Sequence, residues 1–98
     1  MNIEIEQMRV AAAQAADLMQ TLSNPNRLML LCLLVEGEAS VGALAEKLEL
    51  RQTSASQQLA LLRKDGLVQT RRDGQTIYYR LNGEEARRVI EVLYDLYC

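Results

Sequence analysis

The sequence predicts a mainly α-helical single domain over residues 1–98, four helices followed by a β-hairpin and a fifth helix. Three observations predict it. Apolar residues recur at three- and four-residue spacing in successive stretches. Those stretches are punctuated by capping residues, proline or glycine. Between the fourth and fifth lies LVQTRRDGQTIYYRL, whose alternation marks two strands joined by a tight turn.

The first helix, residues 3–21, places Ile5, Met8, Ala12, Ala15 and Met19 in a heptad-like stripe. Asn24 then caps a second helix, with Pro25 at the first helical position, where its missing N–H costs nothing. That helix runs to about Glu36 and stops at Gly37, with Leu28, Leu31, Cys32 and Val35 expected to face inward. Ser40 caps a third helix, Val41–Leu48, with Leu44, Ala45 and Leu48 turned inward. A break at Glu49–Gln52 leads to a fourth, about Thr53–Asp65, ending at Gly66. Its Ala55, Leu59 and Leu62 share one face, and Thr53, Ser56, Gln57, Ala60 and Lys64 the other. Asp73-Gly74 is the expected centre of a type I′ hairpin turn. On the return strand Ile77, Tyr79 and Leu81 alternate with Thr76, Tyr78 and Arg80. The last helix, about Gly83–Tyr97, carries Ala86, Val89, Ile90, Leu93, Leu96 and Tyr97 on its apolar side.

Composition bounds what such a chain does. Hydrophobic residues make up 49% and charged residues 24% of 98, which excludes disorder and collagen-like or disulfide-dense scaffolds. A chain this short buries only roughly 60–65% of its unfolded surface, so a partner subunit is expected. Histidine is absent, which removes Ser-His and Cys-His catalysis and most zinc sites. The start, MNIEIEQMRV, lacks the basic-then-apolar pattern of an export signal, and Leu28–Val35 is too short to span a bilayer. A cytoplasmic protein is expected, with Cys32 and Cys98 in a reducing compartment and no permanent disulfide.

Charge is uneven. Residues 1–40 carry −3, residues 41–80 carry +3 and residues 81–98 carry −2. An acidic chain with a basic centre points one face at a polyanion, although a solvated surface alone also produces such fluctuation. The third and fourth helices, joined tightly, form a helix-turn-helix, and the hairpin tipped by Arg71-Arg72-Asp73-Gly74 forms a wing. A helix fits the major groove, where Gln, Ser, Thr and Lys reach base edges. Arginines on a ribbon suit phosphates or the minor groove. The residues expected to contact double-stranded DNA are Arg51, Gln52, Thr53, Ser54, Ser56, Gln57, Gln58, Lys64, Arg71, Arg72 and Arg80. The plain alternative is an amphipathic surface helix followed by a solubilising turn.

The stretches Ser23-Asn24-Pro25-Asn26-Arg27-Leu28, Val41-Gly42-Ala43-Leu44-Ala45, Ser54-Ala55-Ser56-Gln57-Gln58-Leu59, Lys64-Asp65-Gly66-Leu67-Val68 and Asp73-Gly74-Gln75-Thr76-Ile77-Tyr78-Tyr79 together resemble the ArsR/SmtB family of bacterial winged-helix repressors. The resemblance covers almost the whole chain. It implies a homodimer through the first and last helices and an inducer that releases the protein from operator DNA. The sequence departs from the family in several places. Ala39-Ser40-Val41-Gly42-Ala43 holds no thiol where many members carry a metal-binding Cys pair. The last helix has no His beside Glu84, Glu85, Glu91 and Asp95, so no metal site and no cofactor are expected. Gln58 replaces a frequent His, and Arg51 stands where a Ser often caps the recognition helix.

The two cysteines remain. Cys32 reads equally as a small core hydrophobe within Leu30-Leu31-Cys32-Leu33-Leu34, and Cys98 as an incidental thiol. The chain is similar, however, to the sulfide- and persulfide-responsive SqrR/BigR/HlyU-like branch, which places one Cys in the Leu-rich second helix and a partner near the end of the last. That resemblance implies a redox-sensing Cys32–Cys98 dithiol, with persulfide or another reactive sulfur or oxidant as inducer. Two alternatives stay open: a regulator without a thiol switch, and an activator that displaces another DNA-bound protein. An enzyme is not expected, since no CxxC motif, cofactor loop or general base is present.

Overall fold

A computed structural model describes residues 4–98. Its elements are α1 (Ile5–Leu22), α2 (Pro25–Val35), β1 (Ala39–Ser40), α3 (Val41–Leu48), α4 (Gln52–Lys64), β2 (Val68–Asp73), β3 (Thr76–Leu81) and α5 (Glu85–Tyr97). The expected helices and hairpin form, in a winged helix-turn-helix. The expected start of the first helix at Ile3 lies outside the described residues.

Local chemistry sets most boundaries. Glu4 caps α1, its carboxylate accepting from the Glu6 and Gln7 amides. The Asn24 side chain accepts from the Arg27 amide, with Pro25 next in line. The Ser40 hydroxyl accepts from the Ala43 amide. The α4 N-terminus has no side-chain cap, because Arg51 at that position offers no acceptor. Two helices close by the same device. The Leu50 amide donates to the Ala45 carbonyl around Glu49, and the Leu67 amide to the Leu62 carbonyl around Gly66. Gly66 adopts φ 77° at no steric cost, whereas Glu49 holds φ 55° as a side-chain-bearing residue. That left-handed residue makes the turn of the helix-turn-helix tight.

Four sequence expectations are corrected. Ala39–Ser40 pairs antiparallel with Tyr78–Tyr79, so the hairpin is part of a three-stranded sheet of order β1-β3-β2. A two-residue strand carries no periodicity of its own, and only the proximity of β3 creates it. The hairpin turn is Gly74-Gln75, because Asp73 pairs with Thr76. Gly74 has φ 64°, and it is the only turn residue with positive φ, the sign pattern of a type II′ turn. Gly83, at φ 78°, lies before α5, which starts at Glu85. Cys32 is exposed, and the inward face of α2 is Leu30, Leu31 and Leu34.

The core gathers those leucines with Leu44, Leu59 and Leu62 from the helix-turn-helix, Val68, Tyr79 and Leu81 from the wing root, and Ala86 and Ile90 from α5. Helix α2 is its centre, packing against α1, α3, α4, α5 and β3. Helix α1 is different. It is about 27 Å long, yet Leu22 is its one buried residue among those described. Its stripe residues Ile5, Met8, Ala12, Ala15 and Met19 are all exposed. The molecule measures 49 × 29 × 20 Å with a radius of gyration of 14.9 Å, above the ≈ 13 Å of a compact chain this size.

Candidate nucleic-acid interface and thiol groove

Helix α4 divides cleanly. Ala55, Leu59 and Leu62 are fully buried, while Gln52, Thr53, Gln57, Ala60 and Lys64 face solvent. Ser54 and Ser56 are half-buried on the flanks, and Arg51 is exposed at the start. The exposed polar groups of the first two turns lie where a recognition helix meets base edges. Gln58 is placed differently. It is half-buried, and its Oε1 accepts from Arg27 Nη1 at 2.9 Å. Arg27 also donates from Nε to the Thr21 carbonyl, and the Thr21 hydroxyl donates to the Asp65 carboxylate. Gln58 and Asp65 thus tie both halves of α4 to the α1–α2 junction. Arg27, Thr21 and Asp65 escaped sequence reasoning, since no local pattern links positions more than thirty residues apart.

On the wing, the pairing register puts Gln69, Arg71, Tyr78 and Arg80 on one face and Val68, Thr70, Arg72, Ile77, Tyr79 and Leu81 on the other. The second face covers the core at Val68, Tyr79 and Leu81, whereas Ile77 and Arg72 lie beyond it and are exposed. The Asn82 side-chain amide donates to the Gly66 carbonyl and holds the wing root to the end of α4. Arg72 and Arg80 are exposed and, among the described residues, make no ion pair or side-chain hydrogen bond. Arg71 is engaged with Glu38, a residue sequence reasoning did not single out. The Arg71 hydrogen bond holds the Glu38 carboxyl below the usual range.

Cys32 opens onto a groove between α2 and α5, and Cys98 follows the end of α5. A cavity of about 340 Å³ is lined by Cys32, Val35, Glu36, Ile90, Glu91, Tyr94 and Asp95. The Cys98 amide donates to the Tyr94 carbonyl, which continues the helical turn bearing Tyr94 and Asp95 toward Cys98. Both thiols are free and exposed. The groove walls nevertheless strip part of the hydration from Cys32, and this burial pushes its thiol up from the ordinary value. Ionised Cys98 pushes it up further, so the charge of one sulfur is felt at the other. Arg87 Nη1 donates to the Val35 carbonyl at 3.3 Å and fastens α5 to the end of α2. Among the described residues no group of three or more His, Cys, Asp or Glu side chains is placed to hold a metal ion. None of the helices described is long and apolar enough to cross a membrane.

Comparison with known proteins bears on the fold and the family. Residues 24–70 match the family described as bacterial regulatory protein, arsR family. The transcriptional activator HlyU of Vibrio cholerae is 44% identical over 96 residues, 98% of this chain and 89% of that protein. The biofilm growth-associated repressor of Agrobacterium fabrum is 48% identical over 97 residues, 99% of this chain and 83% of that protein. The crystal structure of the transcriptional repressor BigR from Xylella fastidiosa superposes with a TM-score of 0.89 at 45% identity, covering 98% of each chain. A homodimeric winged helix-turn-helix DNA-binding domain from Mycobacterium bovis superposes with a TM-score of 0.80 at 33% identity, covering 98% of this chain and 89% of that one.

Proposed function

The chain belongs to the ArsR family of bacterial transcriptional regulators, and from that premise we propose that it is a homodimeric repressor whose hold on operator DNA is relieved by reactive sulfur acting on Cys32 and Cys98. Its relatives are regulators of transcription, not enzymes. The exposed face of α4 reads bases, with Thr53 and Gln57 foremost and Gln52, Ser54 and Ser56 beside them. Arg51, Lys64, Arg72 and Arg80 meet phosphates. The exposed apolar residues of α1 and α5 pair with those of a second copy, setting the two recognition helices about 34 Å apart along one face of the duplex.

The observation that carries the switch is the groove. One thiol stands on α2, which packs against both helices of the reading head, and its partner follows α5, which holds the exposed apolar surface. The Cys32 thiolate attacks the outer sulfur of an organic persulfide, RSSH, and becomes Cys32–SSH as the thiol RSH leaves. Cys98 thiolate then attacks the Cys32 sulfur and expels sulfide. The net change is two thiols and RSSH giving one disulfide, RSH and H₂S. With a second RSSH, Cys98 becomes Cys98–SSH as another RSH leaves. The outer sulfur of Cys32–SSH then attacks the inner sulfur of Cys98–SSH and expels sulfide, so that two thiols and two RSSH give one trisulfide, two RSH and H₂S. This longer bridge tolerates a wider separation than the 4.4–6.8 Å between Cα atoms of a direct disulfide. Either bridge fixes α5 against α2, changes the spacing of the recognition helices and disfavours the DNA-bound state; a coupling of ~1–3 kcal/mol suffices for a useful response.

A second reading is favoured by the Vibrio cholerae relative, which is named an activator. The same reading head activates when it displaces another DNA-bound protein. Gel-shift assays of the reduced protein, then with glutathione persulfide, test the switch. Cys32→Ser is expected to bind the operator as the parent does and to stay bound after persulfide. Release of that variant would falsify the dithiol mechanism.

A further inference from the structure

Arg71 stands apart from the other wing arginines. Its Nε lies 2.9 Å from both Glu38 carboxylate oxygens, and its Nη2 lies 2.6 Å from Oε1. Its guanidinium carbon sits 4.6 Å from the centroid of the Tyr78 ring. The sheet topology gives these contacts a direction. Glu38 immediately precedes the edge strand β1, Arg71 is on the opposite edge strand β2, and Tyr78 on the central strand pairs with Ser40 on one side and Arg71 on the other. The side chain of Arg71 therefore crosses the whole sheet.

The crossing falls at a particular place. Below it the wing is packed, with Val68, Tyr79 and Leu81 buried. Above it every residue from Arg72 to Ile77 is exposed. A two-stranded ribbon without a packed face is marginal in water. The Glu38–Arg71–Tyr78 contact is thus the last side-chain tie before the free tip.

We propose that Glu38 is a positioning residue for DNA binding: through Arg71 it straps the α2–β1 connection to β2 over Tyr78 and sets where Arg72 and Arg80 stand against the duplex. The inference rests on the DNA-binding reading above and assigns the wing cations different tasks. A guanidinium held through Nε and Nη2 by a carboxylate has one of its two bidentate edges occupied and its charge paired, so it offers a phosphate less than a free arginine does. Arg71 is the strap, and Arg72 and Arg80 carry the phosphate contacts.

Glu38→Gln, Arg71→Ala, the double variant and Arg72→Ala, each in the full chain, test this. Two measurements are made: amide hydrogen exchange of residues 72–76 without DNA, and operator affinity at several salt concentrations. Glu38→Gln is expected to speed exchange at the tip. It also lowers affinity about twofold to fivefold, the range for an exposed ion pair, without changing the salt slope. Arg71→Ala matches it, and the double variant loses no more than either single one. Arg72→Ala lowers the slope by about one. Unaltered exchange in Glu38→Gln overturns the strap. Tighter binding by Glu38→Gln with a steeper slope shows instead that Glu38 withholds Arg71 from DNA. A slope lowered by about one in Arg71→Ala makes Arg71 a phosphate contact and likewise overturns the proposal. Failure of the parent protein to bind any promoter fragment removes the functional reading, and the exchange measurement then still reports on the strap.

Discussion

The reading head and the α1–α5 surface are built on opposite principles. In the head, apolar side chains are spent inward: Leu44, Ala55, Leu59 and Leu62 are buried and the outer face of α4 is mostly polar. On α1 and the second half of α5 they point outward. Ile5, Met8, Val10 and Met19 are 44–61% exposed, and Val92, Tyr94, Leu96 and Tyr97 are 56–83% exposed. The contrast teaches that one chain covers the apolar faces of its helix-turn-helix but leaves those of α1 and the end of α5 uncovered. An apolar surface of this extent on a chain with a thin core is a reason for pairing. The groove bearing Cys32 lies at the boundary between the two, between α2 of the packed half and α5 of the unfinished one.

The largest expected effect comes from breaking the unfinished half. Val92→Glu combined with Leu96→Glu changes side chains that are mostly exposed and outside the buried core, so circular dichroism is expected to keep its helical signal. Sedimentation is expected to show a monomer. Operator affinity falls about 10²–10⁴-fold, because the second recognition helix loses its effective concentration. A variant that sediments as a dimer breaks the assignment of this surface. The packed half answers differently. Leu59→Ala empties a fully buried site and is expected to cost about 2–5 kcal/mol in urea unfolding, compared at one fixed protein concentration. A loss below about 1 kcal/mol would mean that the core around α4 is not the tight one described.

The smallest effect sharpens the boundary itself. The Cys32 thiol is pushed up, first by burial and second by Cys98. A raised thiol pKa means more neutral thiol at pH 7. Alkylation by iodoacetamide, followed by mass spectrometry, is therefore expected to accelerate with pH about a midpoint above that of an ordinary cysteine. Cys98→Ser lowers that midpoint only partway, since the larger cause stays. The same sign governs stability. Folding loses support as pH rises from the unfolded thiol value through the folded one, because the folded state holds the proton more tightly. An unchanged midpoint in Cys98→Ser would separate the two sulfurs and remove the basis of the switch.

Much of the fold was legible because its signals are local. The Asn24-Pro25 and Ser40 caps act within three residues, and Gly66 closes α4 by its own φ. The buried face of α4 followed from spacing, because polar residues mark the other side. Helix α2 offers no such mark. In Leu30-Leu31-Cys32-Leu33-Leu34 every neighbour is apolar, so periodicity left the orientation of Cys32 open, and the expectation that it faces inward failed. The wing arginines were legible as a cationic group, but the pairing of Arg71 with Glu38 was not, since the two are 33 positions apart.

The sequence by itself determined the kinds and order of the helices and hairpin, the polar face of α4, the basic centre and the family resemblance. All of these rest on charge, capping and periodicity within a few residues. Tertiary structure alone decided that Cys32 lies in a groove beside α5, that β1 joins the sheet, that Arg27 holds Gln58 and that Glu38 holds Arg71. Those pairings join segments brought together only when Leu30, Leu31 and Leu34 bury themselves among the surrounding elements, and the free energy of that burial belongs to the packed whole.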